Sequence, residues 1–382
     1  MIIFLISSIA LLFILAYFVL VRWFVYHWRK TPVWQAPEGF QPSTSVTILI
    51  PARNEALNIQ ACLNSILHQS YPPELMEIIV IDDHSEDDTP HLVQAYQDSR
   101  VRLLQLADHL DYETSSYKKA AIQIGVAAAT GHLIITTDAD CLAPPKWLWH
   151  LSSLYEHQQP QCIAGPVAFY QEQNGLERFQ SLDFLGMMVI TGAGIGSTKM
   201  YMGNGANLAY PRAVFERVNG FEGVKDWASG DDLFLIHKIA AQYPGGVRFL
   251  KQAEATILTR AKPDLSSFIQ QRIRWGTKNA SYKGWAVMLI AGTVFLACWS
   301  LLVMAFAIPW GGWPSIGFFL FLLGIKTWAD YQLLREATSF FGRRDLRRYF
   351  MPAQIGHILY IALIGLASLV VKRYEWKGRK VR

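Results

Sequence analysis

Leu133-Ile134-Ile135-Thr136-Thr137-Asp138-Ala139-Asp140 is the stretch that decides the fold. An apolar, β-branched run ends in two acids one residue apart. The run reads as a buried strand of a parallel sheet. Its acids then lie at the C-terminal edge, where open α/β sheets place ligands. On extended backbone Asp138 and Asp140 point the same way. Two hard carboxylates on one side suit Mg²⁺ or Mn²⁺, with phosphate oxygens completing the shell. The alternative is a strand followed by a merely Asp-rich turn, and the flanking segments bear on that choice.

Upstream, Val46–Ile50 reads as a first strand, turned by Pro51-Ala52-Arg53-Asn54-Glu55 into a helix over 56–69. Met76–Ile81 is a second strand ending in Asp82-Asp83-His84-Ser85, and Val101–Leu106 a third. Helices over 89–98 and 117–129 alternate with them; the second opens on Lys118-Lys119. Strand and helix in alternation with short turns predict a parallel sheet with right-handed crossovers. Polar residues cap three strands at one edge, as a nucleotide site requires. Downstream, 144–158 reads as a helix and 162–170 as one strand. Residues 173–190 are amphipathic and fit either a membrane-surface helix or a core helix. Met202-Gly203-Asn204-Gly205-Ala206-Asn207 lets backbone approach a ligand closely. Gly230-Asp231-Asp232-Leu233 opens a further helix. Residues 247–258 form a late strand pair, and 265–282 an amphipathic helix carrying Gln271-Arg272-Ile273-Arg274-Trp275.

Of the 382 residues 52% are hydrophobic, concentrated at both ends, and the net charge is +5. The basic residues border apolar segments, which marks membrane borders and anionic headgroups and argues against nucleic acid. Met1–Val21 is uncharged and long enough to span a bilayer, which takes about twenty apolar residues. A cleavable signal peptide is not expected, for want of a basic start and a small-residue cleavage site. The expected organisation is a transmembrane helix over 1–24, a linker over 25–45, a catalytic α/β domain over 46–260, an amphipathic helix over 261–284, two or three spans within 285–371, and a basic tail over 372–382. Lys326 breaks the middle span, and counting every span puts the basic tail outside, against the positive-inside rule. The four cysteines show no metal or disulfide spacing and read as free thiols.

Each acidic group has two readings. Asp82-Asp83 can cap the next helix, or accept hydrogen bonds from a base or ribose beside Arg53 and Glu55. Asp231-Asp232 can serve the helix dipole, or supply a general base for an acceptor hydroxyl. A metal on Asp140, helped by Asp138, would make a diphosphate a better leaving group. Arg274 can pair with phosphate and Trp275 can underlie a sugar ring, or both can anchor an interfacial helix.

In this order, Ile50–Glu55, Val80–Ser85, Lys118–Ala121, Asp138–Asp140, Gly203–Tyr210, Gly230–Leu233 and Gln271–Trp275 resemble inverting family 2 glycosyltransferases of the GT-A fold. The likeness is to their membrane-bound branch, which includes cellulose, chitin, hyaluronan and poly-N-acetylglucosamine synthases and ceramide glucosyltransferase. It covers about residues 45–285. The resemblance implies a nucleotide-sugar site of Pro51, Arg53, Glu55, Asp82, Asp83, Lys119 and Asp138, and a divalent cation on Asp140 and Asp138. It implies Asp232 as base with Asp231 beside it, and Asn207, Gln271, Arg274 and Trp275 toward the diphosphate and acceptor. Gly230-Asp231-Asp232 departs from the family's usual Glu-Asp, although Asp232 keeps the place of the base.

The implied protein passes a sugar from a nucleotide donor, a UDP-sugar, to a lipid or a growing polysaccharide, at the cytoplasmic face of the plasma (inner) membrane. A polymer would call for an oligomer or an export partner, since few spans are available for a channel. A polyprenyl-phosphate sugar synthase fits less well, because a phosphate acceptor needs no strong base. An inactive regulatory relative would be expected to lose these carboxylates.

Overall fold

The computed structural model describes residues 1–110, 116–223, 230–278, 285–370, 374–376 and 379–381. In chain order the first elements are α1 (Ile2–Lys30), β1 (Val46–Ala52), α2 (Ile59–Leu67), β2 (Met76–Asp82), α3 (Thr89–Gln94), β3 (Val101–Gln105), α4 (Tyr117–Ala128) and β4 (Leu133–Thr136). Next come α5 (Trp147–Gln158), β5 (Cys162–Ala164), β6 (Val167–Phe169), α6 (Gly175–Gly196), β7 (Leu208–Pro211), α7 (Arg212–Arg217) and α8 (Asp231–Gln242). The last are β8 (Val247–Phe249), β9 (Ile257–Thr259), α9 (Leu265–Lys278), α10 (Trp285–Phe340) and α11 (Phe350–Val370). The expected end of the α9 helix at Tyr282, the end of the last span at Val371 and residues 372–373, 377–378 and 382 of the basic tail lie outside the described residues.

The chain divides into two compact units: 1–30, 172–193 and 261–374 form one, and 31–171, 194–260 and 375–382 the other. The second holds a seven-stranded sheet of order β3-β2-β1-β4-β7-β5-β8. β3, β2, β1 and β4 run parallel, as their apolar runs predict. Strand β7 then enters antiparallel between β4 and β5, so the sheet is mixed. The expected strand over 162–170 is two strands. It breaks at Gly165-Pro166, and β6 leaves the main sheet to pair with β9. A Cβ at Gly165 would lie 2.3 Å from the Asn207 side chain, so only glycine permits this crossing.

Residues 31–45, read from sequence as linker, are irregular but fastened to the sheet unit. Trp34 donates from its indole to Ser153 at 2.9 Å, and Ser43 and Thr44 donate to Glu156. All four cysteines are buried free thiols.

Among the described residues, four helices are long and apolar enough to cross a membrane: Ile2–Lys30, Gly175–Gly196, Val287–Phe340 and Arg344–Ser368. Helix α1 runs on through Trp23–Lys30 and lies along α10, with Arg29 paired to Glu336 at 2.6 Å. Residues 172–193, inside the expected catalytic segment, group with these helices. Helix α10 kinks at Gly312 (φ 61°), between Pro309 and Pro314, the expected cause of a sharp bend. Lys326 does not break the helix. Its amine is fully buried and neutralised one turn on by Asp330 at 2.6 Å, with Gln354 and His357 each at 3.3 Å.

Candidate active site

Parallel register sets the C-terminal ends of β1, β2 and β4 side by side. Ala52 pairs with Asp82 and Leu49 with Thr136. Two loops, 53–58 and 83–89, are braided at this edge. Arg53 donates to the carbonyls of Asp83 (2.9 Å) and His84 (2.7 Å) and pairs with Glu86. Asn54 accepts from the Glu86 amide at 2.8 Å, and the Glu55 amide donates to Thr89. Asn54 (φ 50°) and His84 (φ 53°) both hold left-handed backbone, a strained state that such cross-bracing sustains. The buried Arg53 therefore braces the loop after β2. Pro51 stays within β1, opposite Ile81. Glu55 accepts from the Asn58 side chain at 2.7 Å.

Asp82 and Asp83 are 5% and 3% exposed. Asp82 Oδ2 accepts from the Ser85 amide at 3.2 Å, so part of the capping reading holds. Its Oδ1, however, is buried with no hydrogen-bond partner among the described residues. An orphaned buried acceptor costs about 1–3 kcal/mol, which marks a place where a ligand donor is wanted. Asp83 lies 3.0 Å from the His84 ring.

Asp138 and Asp140 are gathered by a turn beyond the strand. Strand β4 ends at Thr136, and the Cys141 amide closes onto the Asp138 carbonyl at 3.1 Å. Ligand atoms of Asp138, Asp140 and Cys141 then lie within 4.8 Å of one another. Burial, with Asp140 and Asp138 adding to it, raises the Cys141 thiol well above its usual range. Asp138 and Asp140 offer two hard carboxylates, which fit Mg²⁺ or Mn²⁺.

Lys118, on the first turn of α4, reaches this cluster. Its Nζ lies 2.6 Å from Asp138 and 3.6 Å from Asp231. Burial works against its charge, yet Asp138, Asp231 and Asp232 hold its pKa above the ordinary lysine value. Lys119, the lysine expected at the nucleotide sugar, is placed differently. Lys119 is 2% exposed, on the core face of α4 with Ile122 and Val126, and lies 4.8 Å from the Phe234 ring. The i, i+3, i+7 spacing of 119, 122 and 126 was the available signal, because it turns Lys118 off that face.

Asp231 and Asp232 open α8 behind Gly230, whose φ of 86° suits glycine. Asp232 Oδ1 accepts from the Leu233 amide at 2.8 Å and Oδ2 from Gly205 at 3.3 Å. A Cβ at Gly205 would sit 3.2 Å from Asp231 Oδ2 and 3.4 Å from Lys118 Nζ, so backbone comes close to the cluster there.

Asn207 is fully buried. It accepts from the Trp147 indole at 2.9 Å and donates to the carbonyls of Pro166 (2.8 Å) and Ala255 (3.0 Å). Those partners occupy its amide, and Asn207 ties these segments together. Gln271, Arg274 and Trp275 belong to the helical unit. There Arg272, which the sequence reading passed over, is 2% exposed. It lies 4.2 Å from the Trp275 ring and 2.9 Å from Asp183. One face of Trp275 thus carries a guanidinium.

A sheet of this order with carboxylates gathered at its parallel edge is the GT-A arrangement. Two family profiles match: glycosyl transferase family 2 over residues 47–218, and glycosyl transferase family group 2 over 133–332, more than half of the chain. The chain belongs to glycosyl transferase family group 2. It is similar to the glycosyltransferase AglE of Haloferax volcanii, 31% identical over 138 residues that make 36% of this chain and 44% of that one. It is also similar to the probable glycosyltransferase YdaM of Bacillus subtilis, 24% identical over 66% of this chain and 58% of the other. The chain thus spans about half the length of these relatives. Among solved structures, the mannosyltransferase PcManGT of Pyrobaculum calidifontis, in complex with GDP-Man and Mn²⁺, matches with a TM-score of 0.62. The identity is 19%, over 94% of this chain and 99% of that one, so the likeness is one of fold.

Proposed function

We propose that the chain is a membrane-integral, inverting glycosyltransferase that moves a sugar from a nucleoside diphosphate donor to a lipid hydroxyl. One observation carries the reading: Lys118 draws Asp138, of the carboxylate pair, and Asp231, of the α8 pair, onto one amine. A cation site and a base site are thereby adjacent, which direct displacement at an anomeric carbon requires. The unpartnered Asp82 Oδ1 accepts a hydrogen bond from the donor's base or ribose. A divalent cation held by Asp138 and Asp140 would supply charge neutralisation to the diphosphate. Asp232, held by the Leu233 and Gly205 amides, takes the proton of the acceptor hydroxyl. Gln271, Arg274 and Trp275 keep their proposed place toward diphosphate and acceptor, on the family resemblance.

A lipid acceptor is favoured by two relatives whose names carry lipids. They are the β-monoglucosyldiacylglycerol synthases of Trichormus variabilis and of Nostoc sp. strain PCC 7120 (26% identity each). The basic flank of α1 supports a cytoplasmic catalytic side.

The test is transfer of radiolabelled sugar from a panel of UDP- and GDP-sugars by the purified protein in lipid, with Mn²⁺ or Mg²⁺. Label in the organic phase supports the reading. Label only in a long water-soluble product would assign polymerisation, and no transfer from any donor would overturn both.

A further inference from the structure

The helical unit holds an apolar groove of about 620 Å³, within the usual size of a ligand site. It lies between the first turns of α6 and α9 and the length of α11, with Phe179, Phe268, Tyr349, Ala353, Gly356 and Leu363 in its wall. Its lining carries no charged side chain, and Leu265 and Leu363 stay 59% and 65% exposed. Along α11 the groove runs from Pro352 to Ile364, which at about 1.5 Å per residue is roughly 18 Å. One leaflet of a bilayer core is about 15 Å thick.

The chemistry changes at the Tyr349 end. The guanidinium groups of Arg178 and Arg348 lie 5.0 Å and 4.9 Å from the Tyr349 ring centroid. Neighbouring arginines are committed elsewhere. Arg343 is paired with Glu172 and Asp345, and Arg347 donates to Thr338, Ser339 and the Arg335 carbonyl. Among the described residues Arg178 and Arg348 form no ion pair, although Asp345 lies within electrostatic reach of Arg348. A tyrosine flanked by two arginines at the end of an apolar groove matches a headgroup level.

We propose that this groove is a binding site for an anionic phospholipid of the bilayer. One hydrocarbon chain lies along α11, and the phosphate rests on Arg178 and Arg348. The site is independent of the transfer reaction proposed above.

Native mass spectrometry of the purified full chain tests it, with phosphatidylglycerol and phosphatidylcholine of identical chains added at equal concentration. Retention of phosphatidylglycerol over phosphatidylcholine is expected. Arg178→Ala combined with Arg348→Ala lowers that retention roughly thirtyfold, from about 1 kcal/mol per basic residue and about tenfold per 1.4 kcal/mol. Ala353→Trp, which fills the groove and leaves both arginines, abolishes retention of either lipid while the elution volume stays that of wild type. Equal retention of the two lipids by wild type would overturn the proposal, as would undiminished retention in Ala353→Trp. Displacement of phosphatidylglycerol by equimolar undecaprenyl phosphate would overturn the bilayer source and make the groove a substrate's.

Discussion

Replacing Lys118 by Met removes the cation that holds the two acid pairs together, and its effect has a definite sign. The amine lies 2.6 Å from Asp138 and 3.6 Å from Asp231. At about 4 Å two unit charges attract by about 1 kcal/mol in water and about 4 kcal/mol near a protein surface. The side chains of Lys118 and Asp138 are 24% and 35% exposed, which puts the Asp138 contact toward the lower part of that range. A working value is about 2 kcal/mol, or roughly thirtyfold in an equilibrium constant. In the metal-free protein Lys118 competes with a cation for Asp138. Lys118→Met therefore tightens Mn²⁺ binding without nucleotide by roughly ten- to thirtyfold, read by Mn²⁺ titration in an electron paramagnetic resonance spectrometer. The metal-free variant also melts lower, because Asp138 and Asp231 lose their shared counter-charge. Weaker Mn²⁺ binding in Lys118→Met would refute the reasoning and make Lys118 the group that orients Asp138 for the metal.

Asn207→Ala leaves the Trp147 indole and two buried carbonyls without their partner and costs about 3 kcal/mol, seen as a lower Tm with Mn²⁺ affinity unchanged. Burial holds His150 and His237 below the usual imidazole value, so the unfolded chain binds these protons first. Their contribution to stability is complete above about pH 6.5 and declines as pH falls below it. A Tm series between pH 8 and pH 5 should show that slope, and His237→Gln should reduce it. Lys326→Met strands Asp330 in the helical unit and costs about 3–5 kcal/mol. Adding Asp330→Asn removes the uncompensated charge and restores most of the loss in a detergent melting assay.

Much of this architecture was legible because it is local. The runs at 46–50, 76–81 and 133–136 announce buried parallel strands by β-branched composition alone. What escaped is set by distant partners. Leu208–Pro211 is four residues long, and nothing within it says that it enters the sheet antiparallel beside β4. The break of 162–170 into two strands follows from Gly165 crossing over Asn207, a contact between segments forty residues apart. Asp138 and Asp140 converge because a turn folds them together, where the sequence suggested strand alternation. Lys118 rather than Lys119 reaches the carboxylates because adjacent helical residues point about 100° apart, a phase that the paired lysines do not show by themselves. The bracing bonds of Arg53 and Asn207 reach segments distant in sequence, which is why no local pattern shows them.

The central claim is that one edge of the sheet holds a cation site and a base site with separate duties. Isothermal titration of the active nucleotide sugar with Mn²⁺, on Asp140→Ala and Asp232→Asn beside wild type, tests it most directly. The account predicts that Asp232→Asn binds the donor as wild type does yet transfers nothing, while Asp140→Ala loses metal-dependent binding and transfer together. Donor binding lost in Asp232→Asn, or transfer retained in Asp140→Ala, would contradict it.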